Sequence, residues 1–124
     1  MMEVTVSELQ DYLFNHYHKK AIDEGLFIKL VEEVGEVAEV LNKKAKRKET
    51  ISEDLESQLG SEIADVLHYA IAIAALNDIN LSEAILKKDK LAAQKYHHQM
   101  NLEQFILEKR DSMPTVVSDE KLEK

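Results

Sequence analysis

The sequence predicts an all-α protein built on a central antiparallel helix hairpin. Apolar residues recur at helical spacing, strand-type alternation is lacking, and the 124 residues include only 3 Gly and 1 Pro. A sheet-rich chain of this length needs more turn residues than that. We expect one domain of four helices over residues 1–110, completed by oligomerisation, and a polar tail over residues 111–124.

The first two predicted helices cover about residues 6–19 and 26–48. Thr5 is the expected N-cap of the first, because Glu8 completes a T-x-x-E capping box. The segment DEG, residues 23–25, is expected to break the chain before the second helix.

The third and fourth predicted helices cover about residues 53–77 and 82–110. A turn at residues 49–54 is expected before the third helix, where Thr50 and Glu53 offer a second T-x-x-E capping box. Ser82 is the expected N-cap of the fourth helix. The third helix is apolar almost all round over residues 63–76, which is typical of a central, buried helix.

Composition excludes several classes of function. A net charge of −8 disfavours nucleic-acid binding through phosphate contacts. The chain has no Cys, which agrees with a cytoplasmic protein, and its first residues lack the apolar core of a secretory signal. The most apolar run, 11 residues over 66–76, is too short to span a bilayer, so we expect no membrane association.

A helical wheel separates the glutamates of the second helix. With Leu30 at zero and about 100° per residue, Glu33 and Glu36 lie near 300° and 240°, on the flank of the core, while Glu39 points outward. The expected core side comprises five residues within about 60° of Leu30, namely Leu26, Phe27, Val34, Val37 and Leu41.

A second carboxylate pair, Glu62 and Asp65, lies at the start of the apolar third helix. A hairpin closing near residue 49 puts this pair at the same height as Glu33 and Glu36. Four facing carboxylates repel one another unless a cation lies between them. Mg²⁺ prefers oxygen ligands and completes its shell with substrate phosphates, so we predict a Mg²⁺ site that Mn²⁺ can also occupy.

Other interpretations of these residues remain open. An isolated E-x-x-E is usually a solvated helix face. Asp65 and His68 form the D-x-x-H of a di-iron helix, but the second helix lacks the matching motif, so His68 is expected to be packed or at a subunit contact. Lys29 could contact phosphate or form an ion pair with Glu33 or Glu36.

The paired motif resembles a known family. EEVGE at residues 32–36 and EIAD at residues 62–65 are similar to the E-E-x-x-E and E-x-x-D motifs of MazG-like nucleoside triphosphate pyrophosphohydrolases, and the resemblance covers roughly residues 20–96. It implies Mg²⁺-dependent cleavage of a nucleoside triphosphate into the monophosphate and pyrophosphate. It also implies metal ligation by Glu33, Glu36, Glu62 and Asp65.

The resemblance implies further roles. Glu32 would be an outer residue of the metal site or the base that activates water, and Tyr69 is similar in position to an aromatic that stacks on the base. Single-domain relatives form dimers or pairs of dimers, so it implies a homo-oligomer. A MazG-like module that binds nucleotides without turnover, or a purely structural helical module, would be the alternatives.

The fourth helix follows the family pattern only in part. Lys88, Lys95 and Tyr96 occupy the positions of phosphate- and base-binding residues, but Ala92 replaces the usual Asn and His97 the usual Pro. These departures leave the base and sugar of the substrate open. They do not affect the four carboxylates.

Overall fold

The computed structural model describes residues 1–20, 22–46 and 54–112. Within these ranges the chain is all-α and contains no strand, which confirms the predicted fold class. The fold has five helices in the described ranges: α1 Val6–Tyr17, α2 Asp23–Lys46, α3 Leu55–Leu76, α4 Leu81–Lys95 and α5 Leu102–Asp111.

Helix α1 begins where the sequence predicts and ends at Tyr17 rather than at Lys19. The Thr5 hydroxyl accepts a hydrogen bond from the Glu8 backbone N–H at 3.1 Å, and the Glu8 carboxylate accepts one from the Thr5 backbone N–H at 3.0 Å. This capping box satisfies two backbone donors and fixes the helix start.

The predicted break at residues 23–25 is wrong. Asp23 and Glu24 form the first turn of α2, where negative side chains favour the positive end of the helix dipole, and Gly25 continues the helix. The predicted turn at residues 49–54, except for Asp54, and the capping box of Thr50 and Glu53 lie outside the described residues. Helix α3 instead begins after Asp54, whose side chain accepts a hydrogen bond from the Ser57 N–H at 3.0 Å.

Helix α3 packs against both α1 and α2. Leu13 of α1, Leu26 of α2 and Ile71 and Ala72 of α3 form a buried cluster in which Leu13 is fully enclosed. This cluster is the main apolar core of the three helices, and it fixes how α2 is turned towards α3.

The orientation of α2 differs from the wheel prediction. Leu26 and Val40 are buried, but Phe27, Val34 and Leu41, expected on the core side, are 57%, 51% and 48% exposed. The apolar arc of α2 is wider than the surface that α3 covers, so only one edge of it is buried. Exposed Phe27, Val34 and Leu41 therefore form an uncovered stripe.

Only the second half of α3 is the buried helix that the sequence predicts. Ile71, Ala72 and Ala74 are buried, whereas Ile63 and Leu67 are 44% and 51% exposed. By length and composition alone α3 could cross a membrane, with a mean hydropathy of 1.4 over its most apolar window. A soluble core helix passes the same test, and α3 carries Glu62 and Asp65.

The fourth predicted helix is two helices. α4 begins at Leu81, so Ser82 lies inside its first turn and is not the N-cap. His97 has a φ of 57°, a left-handed conformation that ends the helical path, and Asn101 starts α5 with a capping box to Gln104. The N-x-x-Q pattern of Asn101 and Gln104 in the sequence could have predicted the start of α5.

The chain divides into two compact units, Met1–Ser82 and Glu83–Lys124. The first contains α1 to α3 and the start of α4. The second contains most of α4 together with α5, joined where the Leu102 N–H donates a 2.6 Å hydrogen bond to Asp89 Oδ2. The single domain over residues 1–110 stays a prediction.

Candidate metal centre

Glu33 lies on the face of α2 that packs against α3. It is two helical turns from buried Leu26 and two from buried Val40, and all three share one side of the helix. The carboxylate therefore lies on the packing side itself, not on its flank as the wheel centred on Leu30 predicts. It is half-buried as a result.

Helix α3 brings two carboxylates to the same point. Glu62 and Asp65 are three residues apart, which places them on neighbouring turns of one helix face. One oxygen from each of Glu33, Glu62 and Asp65 can be chosen so that all lie within 4.8 Å of one another. We call these three residues the carboxylate group.

Burial and neighbouring negative charges raise the pKa of two members of the carboxylate group, Glu33 and Glu62. Burial raises the pKa of Glu33 above its ordinary value, and the negative charges of Asp65 and Glu62 raise it further. A side-chain hydrogen bond with Asp65 acts in the same direction. Glu33 is therefore easier to protonate than an isolated glutamate when no cation is present.

Glu62 is in a similar environment. Burial raises the pKa of Glu62, followed by the charges of Glu36, Asp65 and Glu39. Glu36 thus lies near the carboxylate group, although it is not one of its three converging members. Glu39 is solvent-exposed, as the wheel predicts, yet its charge still reaches Glu62.

The donor set suits a hard divalent cation. The converging ligand atoms are all carboxylate oxygens, the chemistry that Mg²⁺ and Mn²⁺ prefer over nitrogen or sulfur. A cation between the three side chains would also remove the repulsion that raises the pKa of Glu33 and Glu62. Three carboxylates leave coordination positions for water or substrate oxygens.

Glu32 and Lys29 lie outside the carboxylate group. Lys29 Nζ is 3.5 Å from Glu32 Oε1, and both side chains are 57% exposed. The ion pair of Lys29 is therefore with Glu32, rather than with Glu33 or Glu36 as the sequence had left open. An exposed pair of this kind is weak and leaves both groups able to meet a ligand.

An aromatic cluster adjoins the carboxylate group along α3. The Tyr17 hydroxyl and His68 Nε2 are hydrogen-bonded at 2.7 Å, and the His68 ring contacts the Tyr69 ring edge-on at 4.8 Å. Tyr69 also packs against the apolar core. His68 is thus packed between helices and not in the carboxylate group, and nothing in the sequence pattern pointed to Tyr17 as its partner.

The remaining predicted substrate residues lie in the second unit. Lys88 is exposed on α4, and Lys95 is the last residue of that helix. Lys95 Nζ lies 5.3 Å from the centre of the Tyr96 ring, a cation–π contact. The four other histidines, His16, His18, His97 and His98, are exposed.

The chain is similar to known proteins in both sequence and fold. The profile of the MazG nucleotide pyrophosphohydrolase domain matches residues 23–99. Among solved structures, the crystal structure of iMazG (Ntag-iMazG) from Vibrio DAT 722 is similar with a TM-score of 0.57 and 31% sequence identity, covering 75% of this chain and 98% of that one. No curated protein matches the chain.

Proposed function

Because the chain belongs to the MazG nucleotide pyrophosphohydrolase family, we propose that it hydrolyses a nucleoside triphosphate with Mg²⁺. The α–β phosphoanhydride is cleaved to give the nucleoside monophosphate and pyrophosphate. The substrate is an NTP or dNTP, and the role is housekeeping of the cytoplasmic nucleotide pool.

One observation carries this proposal: the carboxylate oxygens of Glu33, Glu62 and Asp65 can approach one another within 4.8 Å across two helices. Such a cluster costs stability when empty, because like charges in a partly buried site repel. A divalent cation bound between the three carboxylates would remove this repulsion and stabilise the fold. A cation in that position would also stabilise the charge on the phosphates of a bound triphosphate.

Different residues of the chain would bind the metal ion and accept the proton. Glu33, Glu36, Glu62 and Asp65 would hold Mg²⁺, with Mn²⁺ able to substitute. Bound Mg²⁺ supplies charge neutralisation at the phosphates and polarises the phosphorus. Glu32, exposed and paired with Lys29, would accept a proton from the attacking water.

Five further residues would contact the substrate. Lys29 would meet phosphate oxygens, and the Tyr69 ring would stack against the base. Lys88, Lys95 and Tyr96 would contribute further phosphate and base contacts. The exposure of all three lysines supports this, since a solvated ammonium can reorient towards a phosphate.

A panel of triphosphates incubated with Mg²⁺, followed by detection of pyrophosphate, tests the function. We expect pyrophosphate together with the monophosphate from at least one substrate, and neither product in chelator. Release of orthophosphate instead would contradict cleavage at the α–β bond. Nucleotide binding without any release would favour the module that binds without turnover.

The uncovered stripe supports a homo-oligomer, a dimer or a dimer of dimers. Phe27, Val34 and Leu41 of this stripe follow one another on α2 at helical spacing, and Val31 of α2 and Ile63 and Leu67 of α3 are also exposed. Exposed apolar side chains clustered in this way are typical of a contact between subunits. A monomeric mass by light scattering would contradict this.

A further inference from the structure

A small cavity adjoins the carboxylate group and shares Glu36 and Glu62 with the proposed metal site. It has a volume of about 180 Å³. Helix α2 contributes Glu36, Glu39 and Lys43 to its lining, and α3 contributes Gln58, Ser61 and Glu62.

The size and position of the cavity restrict its occupant. Glu62 belongs both to the carboxylate group and to the cavity wall, so a molecule in the cavity would border anything held by the carboxylates. Sites for whole drug-sized ligands measure roughly 300–1,000 Å³. This cavity is smaller than that range, so it suits a fragment of a nucleotide rather than the entire molecule.

The cavity also carries hydrogen-bond donors. Lys43 follows Glu39 by one helical turn, a spacing that allows an ion pair, yet Lys43 forms none within the described ranges. Its ammonium, the Gln58 amide and the Ser61 hydroxyl can all donate to phosphate oxygens. Glu36 and Glu39 would repel a bare anion, but they suit an anion that carries a divalent cation.

The order of groups along α3 gives the site a direction. At about 1.5 Å per residue, Tyr69 lies roughly 10 Å beyond Glu62, while Gln58 lies about 6 Å before it. A nucleoside triphosphate has its base at one end and its terminal phosphate at the other. A base at Tyr69 and a metal at the carboxylate group therefore leave the terminal phosphates on the side of the cavity.

We propose that this cavity binds pyrophosphate as its Mg²⁺ complex, with Lys43, Gln58 and Ser61 donating hydrogen bonds to the phosphate oxygens. It would hold the β and γ phosphates of the substrate and then the leaving group. The proposal rests on the proposed function, and it adds the direction of the substrate and three residues that the family motifs do not include.

Calorimetric titration of the full chain with pyrophosphate in excess Mg²⁺ tests the proposal. Lys43→Gln should weaken binding about tenfold or more, because an ionic hydrogen bond to phosphate is lost. Lys46→Gln is the matched control, since it removes the same charge from the same helix outside the cavity lining. Ser61→Ala should weaken binding in the same direction and less strongly.

Two outcomes would overturn the proposal: no binding of Mg²⁺–pyrophosphate by the wild-type chain, or equal weakening by Lys43→Gln and Lys46→Gln. A nucleoside monophosphate titrated in parallel should bind Lys43→Gln as it binds the wild type. Failure of the proposed function would show separately, as a lack of pyrophosphate release from every triphosphate. The binding comparison of Lys43→Gln with Lys46→Gln tests whether the cavity binds pyrophosphate in either case.

Discussion

Glu33 of α2 and Asp65 of α3 belong to different helices, yet one carboxylate oxygen of each lies within 4.8 Å of the other. Burial raises the pKa of Glu33 above its ordinary value, and the negative charge of Asp65 raises it further. A divalent cation between the two carboxylates would remove this repulsion, so the loss of either side chain should weaken metal binding.

Asp65→Asn should therefore reduce Mg²⁺ affinity. Loss of an outer partner of a metal ligand costs roughly 10–100-fold in affinity, and loss of a ligand should cost at least as much. The measurement is the rise in unfolding temperature with added Mg²⁺, compared with Glu24→Gln in the first turn of α2, which should respond like the wild type. An unchanged response in Asp65→Asn would mean that the carboxylate group does not bind Mg²⁺ and is only surface charge.

Glu62→Gln should stabilise the metal-free protein at neutral pH. The pKa of Glu62 is raised above 4.5 in the folded state, so its contribution to stability is fully present below pH 4.5 and is lost as pH rises through the raised value. The free energy of unfolding of the variant, measured in chelator, should exceed that of the wild type at pH 7.5 and approach it below pH 4.5. A less stable variant at pH 7.5 would refute the repulsion.

Tyr17→Phe should destabilise the packing of α1 on α3. The 2.7 Å hydrogen bond between its hydroxyl and His68 Nε2 is half-buried, and its loss should cost about 0.5–1.5 kcal/mol. Denaturant unfolding of this variant should be compared with Tyr12→Phe, whose side chain is exposed on the same helix. Equal effects from both changes would mean that the Tyr17 hydroxyl contributes nothing measurable.

Leu67→Glu should dissociate the proposed oligomer. Leu67 is 51% exposed on α3, and a charge there would have to be buried in any subunit contact that covers this residue. Light scattering at one concentration should give the monomer mass for this variant and the oligomer mass for Leu107→Glu on α5, where the leucine is equally exposed. The reverse pattern would locate the contact elsewhere.

The sequence predicted the start of α1 and the pairing of α2 with α3 better than the faces of the helices. The capping box of Thr5 and Glu8 is local, so a short pattern determines it. The meeting of Glu33 with Glu62 and Asp65 follows from helical rise alone once the hairpin is assumed.

The rotation of α2 could not be read from its own sequence. Phe27 and Val34 are as apolar as Leu26 and Val40, and only the width of the surface offered by α3 decides which pair is buried. The wheel therefore centred the core too far from Glu33. The partnership of Tyr17 with His68 is similarly a matter of tertiary packing, since it joins residues of separate helices.

The proposed oligomer has a thermodynamic consequence. A chain that leaves Phe27, Val34 and Leu67 in water as a monomer, and covers them only by meeting another copy, has no single free energy of unfolding. Its thermal midpoint then moves with concentration by mass action. Dilution would act on this protein as a mild denaturant, and any ranking of variants is meaningful only at one fixed chain concentration.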